Sequence, residues 1–308
     1  MEIYLPIAEQ SMNVFVLLAL GGAAGLLAGM FGVGGGFLAT PLLIFVGIPP
    51  AVAVASQANQ VVANSVSSLQ VQLRRGNVDI RMGLVLLLGG MMGSGGGVWL
   101  FTYLKRIGQI DFVIAVTYVV MLSAIGLLML YESATTYIRR RRNPEAPRGK
   151  LHTHYLVHRL PFKLRFYKSK LYISALLPIG LGFAIGILSA ILGVGGGFVL
   201  VPAMIYLLGM PTTVVIGTSN FQILFVAANV TFLQAASNGT VDIVLALLLI
   251  VGGVVGAPIG SRIAARLPGV VLRGLMAMLV LAVAAELLVE LLRTPASPYS
   301  LAGREVLP

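Results

Sequence analysis

Cysteine is absent from this 308-residue chain, and charged residues make up only 10% of it. The absence of cysteine excludes disulfides, thiol chemistry and thiolate metal sites. An ordinary soluble domain has roughly 25% charged residues, whereas 58% of this chain is hydrophobic. So much apolar surface cannot be hidden in one water-soluble core, and lipid must solvate much of it. The apolar stretches are long enough for this, because a bilayer core of about 30 Å needs on the order of 20 helical residues.

Histidine is also scarce, and His152, His154 and His158 all lie in one polar stretch. Their spacing permits a weak metal site, but no carboxylate or thiolate cluster accompanies them. Because no histidine or cysteine lies within an apolar segment, a membrane-embedded nucleophile, haem ligand or zinc centre has no visible residue. We therefore expect no metal site, no cofactor, no catalytic residue and no enzyme, although Ser and Asp alone leave some chemistries open.

Positive charge is abundant but local. The net charge is +11, and 11 of the 21 Lys and Arg residues lie between Arg139 and Lys170. Pro144, Pro147 and Pro161 interrupt this stretch, which predicts a loop or irregular linker between two membrane blocks. Anionic lipid headgroups are its expected partner, since each Lys or Arg near such a surface gains about 1 kcal/mol. Nucleic acid is not an expected partner.

A glycine motif occurs twice in the chain. Gly32-Val33-Gly34-Gly35-Gly36-Phe37 recurs 161 residues later as Gly193-Val194-Gly195-Gly196-Gly197-Phe198, and Pro41 recurs as Pro202. Further matches follow in the same order: Gly47-Ile48-Pro49 with Gly209-Met210-Pro211, Gln60 with Gln222, Gly76-Asn77-Val78-Asp79 with Gly239-Thr240-Val241-Asp242, and Gly93 and Gly97 with Gly256 and Gly260. A repeat this long is typical of transporters rather than of solenoids.

Each half contains five apolar segments, which predicts an all-α polytopic membrane protein. The segments are 12–31, 36–47, 50–73, 81–103 and 110–131, then 172–192, 197–209, 213–236, 241–262 and 270–292. The predicted domains are a first membrane repeat (1–131), a basic cytoplasmic linker (132–170) and a second membrane repeat (171–308). The second segment of each half is too short to cross upright, so we expect a broken or re-entrant helical hairpin at the glycines.

Positive charge favours the cytoplasmic side and therefore predicts an orientation. With the linker inside, both termini lie outside, and most other basic residues also fall inside: Arg74, Arg75, Arg81, Arg262, Arg266 and Arg273. Only Lys105 and Arg106 disagree. An odd number of segments per half makes the repeats antiparallel, so we expect two inverted repeats.

The glycine runs are the first candidate binding site. Each glycine costs about 1 kcal/mol relative to alanine inside a helix, and matched helix interruptions mark the binding sites of transporters. Backbone amides released there favour an anion, which makes Gly34, Gly35 and Gly36 and their counterparts Gly195, Gly196 and Gly197 candidate substrate contacts. The alternative is that the glycines allow close helix packing. The spacing fits neither a dinucleotide fingerprint nor a P-loop.

The third segment of each half supplies neutral polar side chains. The candidate substrate contacts are Ser56, Asn59 and Gln60 in the first half and Thr218, Ser219, Asn220 and Gln222 in the second. Such donors hold an oxyanion without burying a cation. Hydrogen bonding between helices is the alternative role.

Acidic residues are few within the apolar segments. Glu286 is a candidate for proton coupling because it lies in the last segment, and an interfacial pair with Arg293 is its alternative. Asp79 and Asp242 precede helical segments, where we expect them to cap the helix N-termini.

These motifs resemble those of the sulfite exporter TauE/SafE family over both repeats. The resemblance rests on the duplicated Gly-Val-Gly-Gly-Gly-Phe with its proline, on Gly217-Thr218-Ser219 and on the two Gly-x-Val-Asp loops. It implies a secondary transporter of the prokaryotic inner membrane with substrates such as sulfite, sulfoacetate and related organosulfonates. It also implies a hairpin role for both glycine runs. The first half has Ala55-Ser56-Gln57 in place of the triplet, which argues against a symmetric site.

The expected function is export of a small sulfur-containing anion by alternating access. The alternatives are a transporter of another small anion, cation or metabolite, a gated anion channel, and a non-transporting membrane scaffold. The sequence leaves the coupling ion and the oligomeric state open, and a homodimer is one option.

Overall fold

The computed structural model describes residues 2–31, 36–142, 163–169, 171–266 and 269–292. In this part of the chain, each half has a two-stranded antiparallel β-hairpin followed by five α-helices. The first half contains β1 (Glu2–Leu5), β2 (Gln10–Asn13), α1 (Val14–Phe31), α2 (Gly36–Phe45), α3 (Pro50–Arg74), α4 (Ile80–Arg106) and α5 (Ile110–Arg142). The second half contains β3 (Lys163–Phe166), β4 (Leu171–Ser174), α6 (Leu176–Leu192), α7 (Gly197–Tyr206), α8 (Thr212–Asn238), α9 (Ile243–Arg266) and α10 (Gly269–Leu292).

Every predicted apolar segment corresponds to one of these helices. Five described helical stretches are long and apolar enough to cross a membrane: Ile80–Arg106, Ile110–Tyr131, Thr213–Asn238, Ile243–Ile263 and Gly274–Leu292. The predicted all-α polytopic membrane fold is therefore confirmed.

The basic stretch is more regular than the loop that its prolines predicted. Helix α5 continues to Arg142, and strand β3 pairs with β4 at the end of the stretch. Phe166 and Ile173 are buried on one face of this hairpin, whereas Leu164 on the same face is exposed. Residues 143–162, with the three histidines, lie outside the described residues.

Glycine faces allow helices of opposite halves to pack closely. Helix α1 packs along α9, and α6 packs along α4. A Cβ atom at Gly29 would overlap the carbonyl oxygen of Ala257, and one at Gly93 would overlap that of Phe183. The matched Gly97, Gly256 and Gly260 also face the backbone or the Cβ of the opposite helix. These glycines therefore have the packing role that small residues commonly have in membranes.

Helices α3 and α8 pack on each other between these two pairs, and α5 packs on α10. The pattern is reciprocal, because α3 also contacts α9 while α8 contacts α4. One apolar cluster joins α2, α5, α6, α7 and α10 through Phe37, Tyr118, Leu192, Phe198 and Val280. The centre of the protein is thus built from both halves.

The short helices turn back towards the hairpin that precedes them. Leu43 in the last turn of α2 and Ile48 after it pack in one cluster with Leu5 of β1. Similarly, Leu208 after α7 packs with Phe166 of β3. Each pair of short helices therefore has both ends near its own hairpin, a property that both predicted forms, broken and re-entrant, share.

Candidate functional site

The second glycine run breaks the helix between α6 and α7. Gly193, Gly195 and Gly196 have φ angles of 68°, 68° and 73°, a left-handed conformation that L-residues with a Cβ rarely adopt. All residues of the run are buried. The predicted helix interruption is therefore present here, and it lies inside the protein rather than on its surface.

The break releases backbone amides at the N-terminus of α7. The amides of Val199 and Leu200 donate to the Gly196 carbonyl oxygen at 3.1 and 2.8 Å. The first amides of a helix have no carbonyl partner within the helix itself, and the N-terminus of a helix carries partial positive charge. This group of amides is therefore suited to an anionic ligand.

The two halves meet beside this break. Gly36 begins α2, and a Cβ atom there would lie 2.6 Å from Cγ2 of Val61. A Cβ atom at Gly195 would lie 2.6 Å from Cγ1 of the same valine. Gly34 and Gly35 lie outside the described residues, so their predicted contact with a solute stays a prediction.

Apolar side chains fill the space between the two short helix pairs. The rings of Phe37 and Phe198 stack with centroids 5.2 Å apart. Val61 and Ile223 are fully buried against Gly195. The described conformation is therefore closed at the point where the two halves meet.

The carbonyl group that ends α6 has polar partners that sequence reasoning missed. The Leu192 carbonyl oxygen accepts hydrogen bonds from the hydroxyl of Tyr118 and from Oγ1 of Thr40, the latter at 3.4 Å. Both hydroxyls come from the first half and both residues are buried. The available signal was a hydroxyl-bearing residue in the middle of an otherwise apolar segment.

Ser56 and Thr218 hold the Gly-x-Val-Asp loops of the opposite half. The amide of Asp242 donates to Oγ of Ser56 at 2.9 Å, and the amide of Asp79 donates to Oγ1 of Thr218 at 3.0 Å. Both hydroxyls are fully buried. The structure thus gives these two candidates the alternative role, hydrogen bonding between elements of the protein.

Gln60 and Gln222 occupy matching positions but differ in their partners. Nε2 of Gln60 donates to the carbonyl oxygens of Gly21 at 3.1 Å and Leu249 at 2.9 Å. Gln222 is equally buried, yet neither polar atom of its side chain has a hydrogen-bond partner in the described part of the chain. A Cβ atom at Gly90 would lie 2.7 Å from its Nε2. Gln60 therefore ties helices together, while Gln222 retains its hydrogen-bonding capacity.

The other polar candidates also form hydrogen bonds within the protein, but these bonds differ in length. Nδ2 of Asn220 donates to Oγ of Ser68 at 2.7 Å, and Oγ of Ser219 donates to the Ile216 carbonyl oxygen at 3.1 Å. Asn59 is half-buried, and its Nδ2 is 3.4 Å from the carbonyl oxygen of Ser56 in its own helix. Of these candidates, Asn59 has the weakest internal bonding.

Asp79 and Asp242 cap helices, as predicted. Oδ1 of Asp79 accepts from the Met82 amide at 3.2 Å, and Oδ1 of Asp242 accepts from the Leu245 amide at 3.1 Å. The second oxygen of each carboxylate binds the β-hairpin of the opposite half, which the sequence did not reveal. That of Asp79 accepts from the amide and hydroxyl of Ser169, and that of Asp242 accepts from the Ile7 amide.

Glu286 does not join the candidate site. Its side chain is exposed on α10, whereas Ala284 and Leu287 beside it are buried. Its alternative partner, Arg293, lies outside the described residues. Proton coupling through Glu286 stays a prediction.

Comparisons with known proteins agree with the glycine motifs and the helical fold. The chain matches the sulfite exporter TauE/SafE family over residues 17–287. It is 29% identical to a probable membrane transporter protein of Xylella fastidiosa (strain 9a5c), covering 82% of this chain and 86% of that protein. It is 24% identical to the probable membrane transporter protein YunE of Bacillus subtilis (strain 168), over 91% of this chain and 98% of that one. YjnA of the same strain, also a probable membrane transporter protein, is 28% identical over 88% and 97%.

No solved structure matches the chain. The family match covers most of its length and both glycine runs. The chain therefore belongs to the sulfite exporter TauE/SafE family of integral membrane transporters.

Proposed function

We propose that the protein exports a small sulfur-containing anion, such as sulfite or an organosulfonate, across the prokaryotic inner membrane. The observation that carries this proposal is the buried helix break at residues 193–196, where three left-handed glycines precede a helix N-terminus. Anions bind well at such termini. The name of the family, sulfite exporter, supports a sulfur oxyanion as the cargo.

The closed centre supports a carrier rather than an open channel. The stacked rings of Phe37 and Phe198 and the buried Val61 and Ile223 separate the two short helix pairs. A carrier must pass through a state in which the cargo site is open to neither side. In our proposal the two halves rock against each other and expose the amides of the break to each side in turn.

We further propose that the halves are inverted repeats with the β3–β4 hairpin on the cytoplasmic side. Helix α3 supports inversion, since Val52 near its start packs in one cluster with Leu5 of the first hairpin, while Asp79 after its end binds the second hairpin. Three exposed arginines lie close to the β3–β4 hairpin: Arg74 and Arg75 at the C-terminal end of α3, and Arg81 at the start of α4. A negative-inside membrane potential then drives each exported negative charge outward with about 2.3 kcal/mol per 100 mV.

Gln222 is the side chain that we assign to the cargo. Both polar atoms of its side chain are buried without a partner in the described part of the chain, which costs stability unless a ligand satisfies them. It also lies next to Ile223, which packs against Gly195 of the break.

The test is uptake of labelled sulfite and sulfoacetate into proteoliposomes, with Gln60→Leu as the matched control for Gln222→Leu. Gln222→Leu should fold normally, and its half-saturation concentration should rise roughly tenfold or more because a hydrogen bond to a charged ligand contributes about 1.5–3 kcal/mol. Gln60→Leu should lower the melting temperature, since it removes the bonds to Gly21 and Leu249. Unchanged transport by folded Gln222→Leu would remove this residue from the site.

The same preparation separates the alternative functions. Counterflow that accelerates with another anion, a cation or a neutral metabolite, but not with sulfur oxyanions, would reassign the substrate. Single-channel currents far above carrier turnover would contradict the carrier mechanism.

A further inference from the structure

The β3–β4 hairpin and the start of α4 form a surface that combines positive charge with exposed aromatic rings. We define this hairpin surface by Arg81, Arg165, Tyr167, Lys168 and Tyr172. The guanidinium carbons of Arg81 and Arg165 lie 5.3 and 5.5 Å from the ring centroid of Tyr167. The two cations are therefore positioned around one tyrosine ring, within the range of cation–π attraction.

Two cavities open beside this ring. One has a volume of about 480 Å³ and is lined by Arg165, Phe166, Tyr167, Leu171 and Tyr172. The other has a volume of about 230 Å³ and is lined by Val78, Asp79, Ile80, Arg81, Tyr167 and Lys168. Tyr167 borders both, so one elongated ligand can contact the apolar and the basic parts of the surface together.

The arginines of the hairpin surface form no ion pair with the neighbouring carboxylate in the described part of the chain. Asp79 is buried, and its oxygens accept hydrogen bonds from the Met82 amide and from the amide and hydroxyl of Ser169. Within the described ranges, Arg81 and Arg165 have no ion pair with an acidic side chain. An anion at this surface therefore meets unpaired cations.

The corresponding hairpin of the first half has the opposite character. Residues 2–13 contain Glu2 and Glu9 and no Lys or Arg. Their tyrosine, Tyr4, is exposed, but no basic side chain accompanies it within the hairpin. The surface is therefore specific to one end of the protein and is not a requirement of the hairpin fold.

We propose that the hairpin surface binds an anionic phospholipid, with its phosphate at Arg81 and Arg165 and its acyl region along the exposed tyrosines. Tyr167 and Tyr172 are 65% and 56% exposed, and tyrosines with basic neighbours are typical of the membrane interface. A small soluble anion uses the cations but gains nothing from the exposed rings and from Leu164, which is also exposed. The proposal narrows the predicted lipid contact of the whole basic stretch to this defined surface.

The experiment measures retention of phosphatidylglycerol against phosphatidylcholine on the detergent-purified full-length protein by native mass spectrometry. Arg81→Gln/Arg165→Gln is compared with the parent and with Arg262→Gln/Arg266→Gln. The control pair removes the same charge from exposed positions on α9 that line neither cavity. All four arginines are exposed, so both variants should fold.

The parent and the α9 control should retain phosphatidylglycerol equally, and the hairpin variant should retain it roughly 30-fold less, since each basic residue contributes about 1 kcal/mol at an anionic surface. Equal loss of phosphatidylglycerol from both variants would overturn the proposal, because it would show that lipid retention depends only on the total charge of the protein. Equal retention of phosphatidylcholine by the parent would also overturn it. A third arm adds inorganic phosphate, and displacement of the lipid by millimolar phosphate would assign the surface to a soluble anion instead.

Discussion

A methyl group added at Gly195 should destabilise the protein through two separate effects. The residue has a φ of 68°, and a left-handed conformation costs an alanine about 1–2 kcal/mol. The new Cβ atom would lie 2.6 Å from Cγ1 of Val61 and 2.7 Å from Cγ2 of Ile223. Overpacking of this kind costs typically about 1–3 kcal/mol. The expected loss of stability for Gly195→Ala is therefore about 2–5 kcal/mol.

Two other glycines separate these effects. Gly209 has a φ of 72° and no atom within 4 Å of an added Cβ, whereas Gly180 has free space in helix α6 and no positive φ. Gly209→Ala should therefore lose only the conformational part, about 1–2 kcal/mol. Gly180→Ala should be neutral or more stable by up to about 1 kcal/mol, because alanine is the better helix former.

The assay is the apparent melting temperature of each variant in one detergent, with folded protein verified by gel filtration. The expected order of stability is Gly180→Ala, Gly209→Ala and then Gly195→Ala. Adding Val61→Ala to Gly195→Ala should cost less than the sum of the two single changes, because the close Cγ1 is gone. Equal melting of Gly195→Ala and Gly209→Ala would refute the packed centre on which the closed conformation depends.

Two further predictions concern the hydrogen bonds between the halves. Asp79→Ala should destabilise the protein more than Asp242→Ala, because only Asp79 also accepts a hydrogen bond from a hydroxyl, that of Ser169. In a Ser169→Ala background, the difference in melting temperature between the two variants should become smaller. A difference that persists in that background would contradict this assignment. Tyr118→Phe should cost about 0.5–1.5 kcal/mol through loss of the bond to the Leu192 carbonyl, and thermal melts that match the parent would show that Thr40 alone satisfies this carbonyl.

The apolar segments allowed the helices to be predicted from the sequence, and the duplicated glycine runs allowed the break to be predicted. A run that contradicts helix propensity, and that recurs with a following proline, indicates an interruption whatever its surroundings. The sequence could not show that the break is closed by Val61 and Ile223, because contact between residues so distant along the chain depends on how the two halves dock.

The polar candidates show a second limit of the sequence. Gln60 and Gln222 are the same residue at matching positions, yet only Gln60 donates to backbone carbonyl groups of two neighbouring helices. Polarity predicts that a side chain needs a partner, but not whether that partner is the protein or a solute. Ser56 and Thr218 are further examples, since both hydroxyls accept from a loop amide.

The hairpins were not predicted because strands of four residues carry too little periodicity to stand out beside long apolar helices. In β3, Phe166 is buried while Leu164, on the same face of the strand, is exposed, so the strand lacks the regular alternation of buried and exposed residues that would identify it. The partner of this hairpin, Asp79, precedes it by two long helices, α4 and α5.

The exchanged contacts of the two halves have a consequence for biosynthesis. The ribosome delivers α1 to the bilayer well before α9, the helix whose backbone its glycines fit, and the loop at Ile7 precedes the carboxylate of Asp242 by most of the chain. The glycine face of α1 thus has no partner helix when it enters the bilayer, and it remains exposed to lipid until α9 has been synthesised. We therefore expect this transporter to assemble late in synthesis rather than by the docking of two separately folded halves.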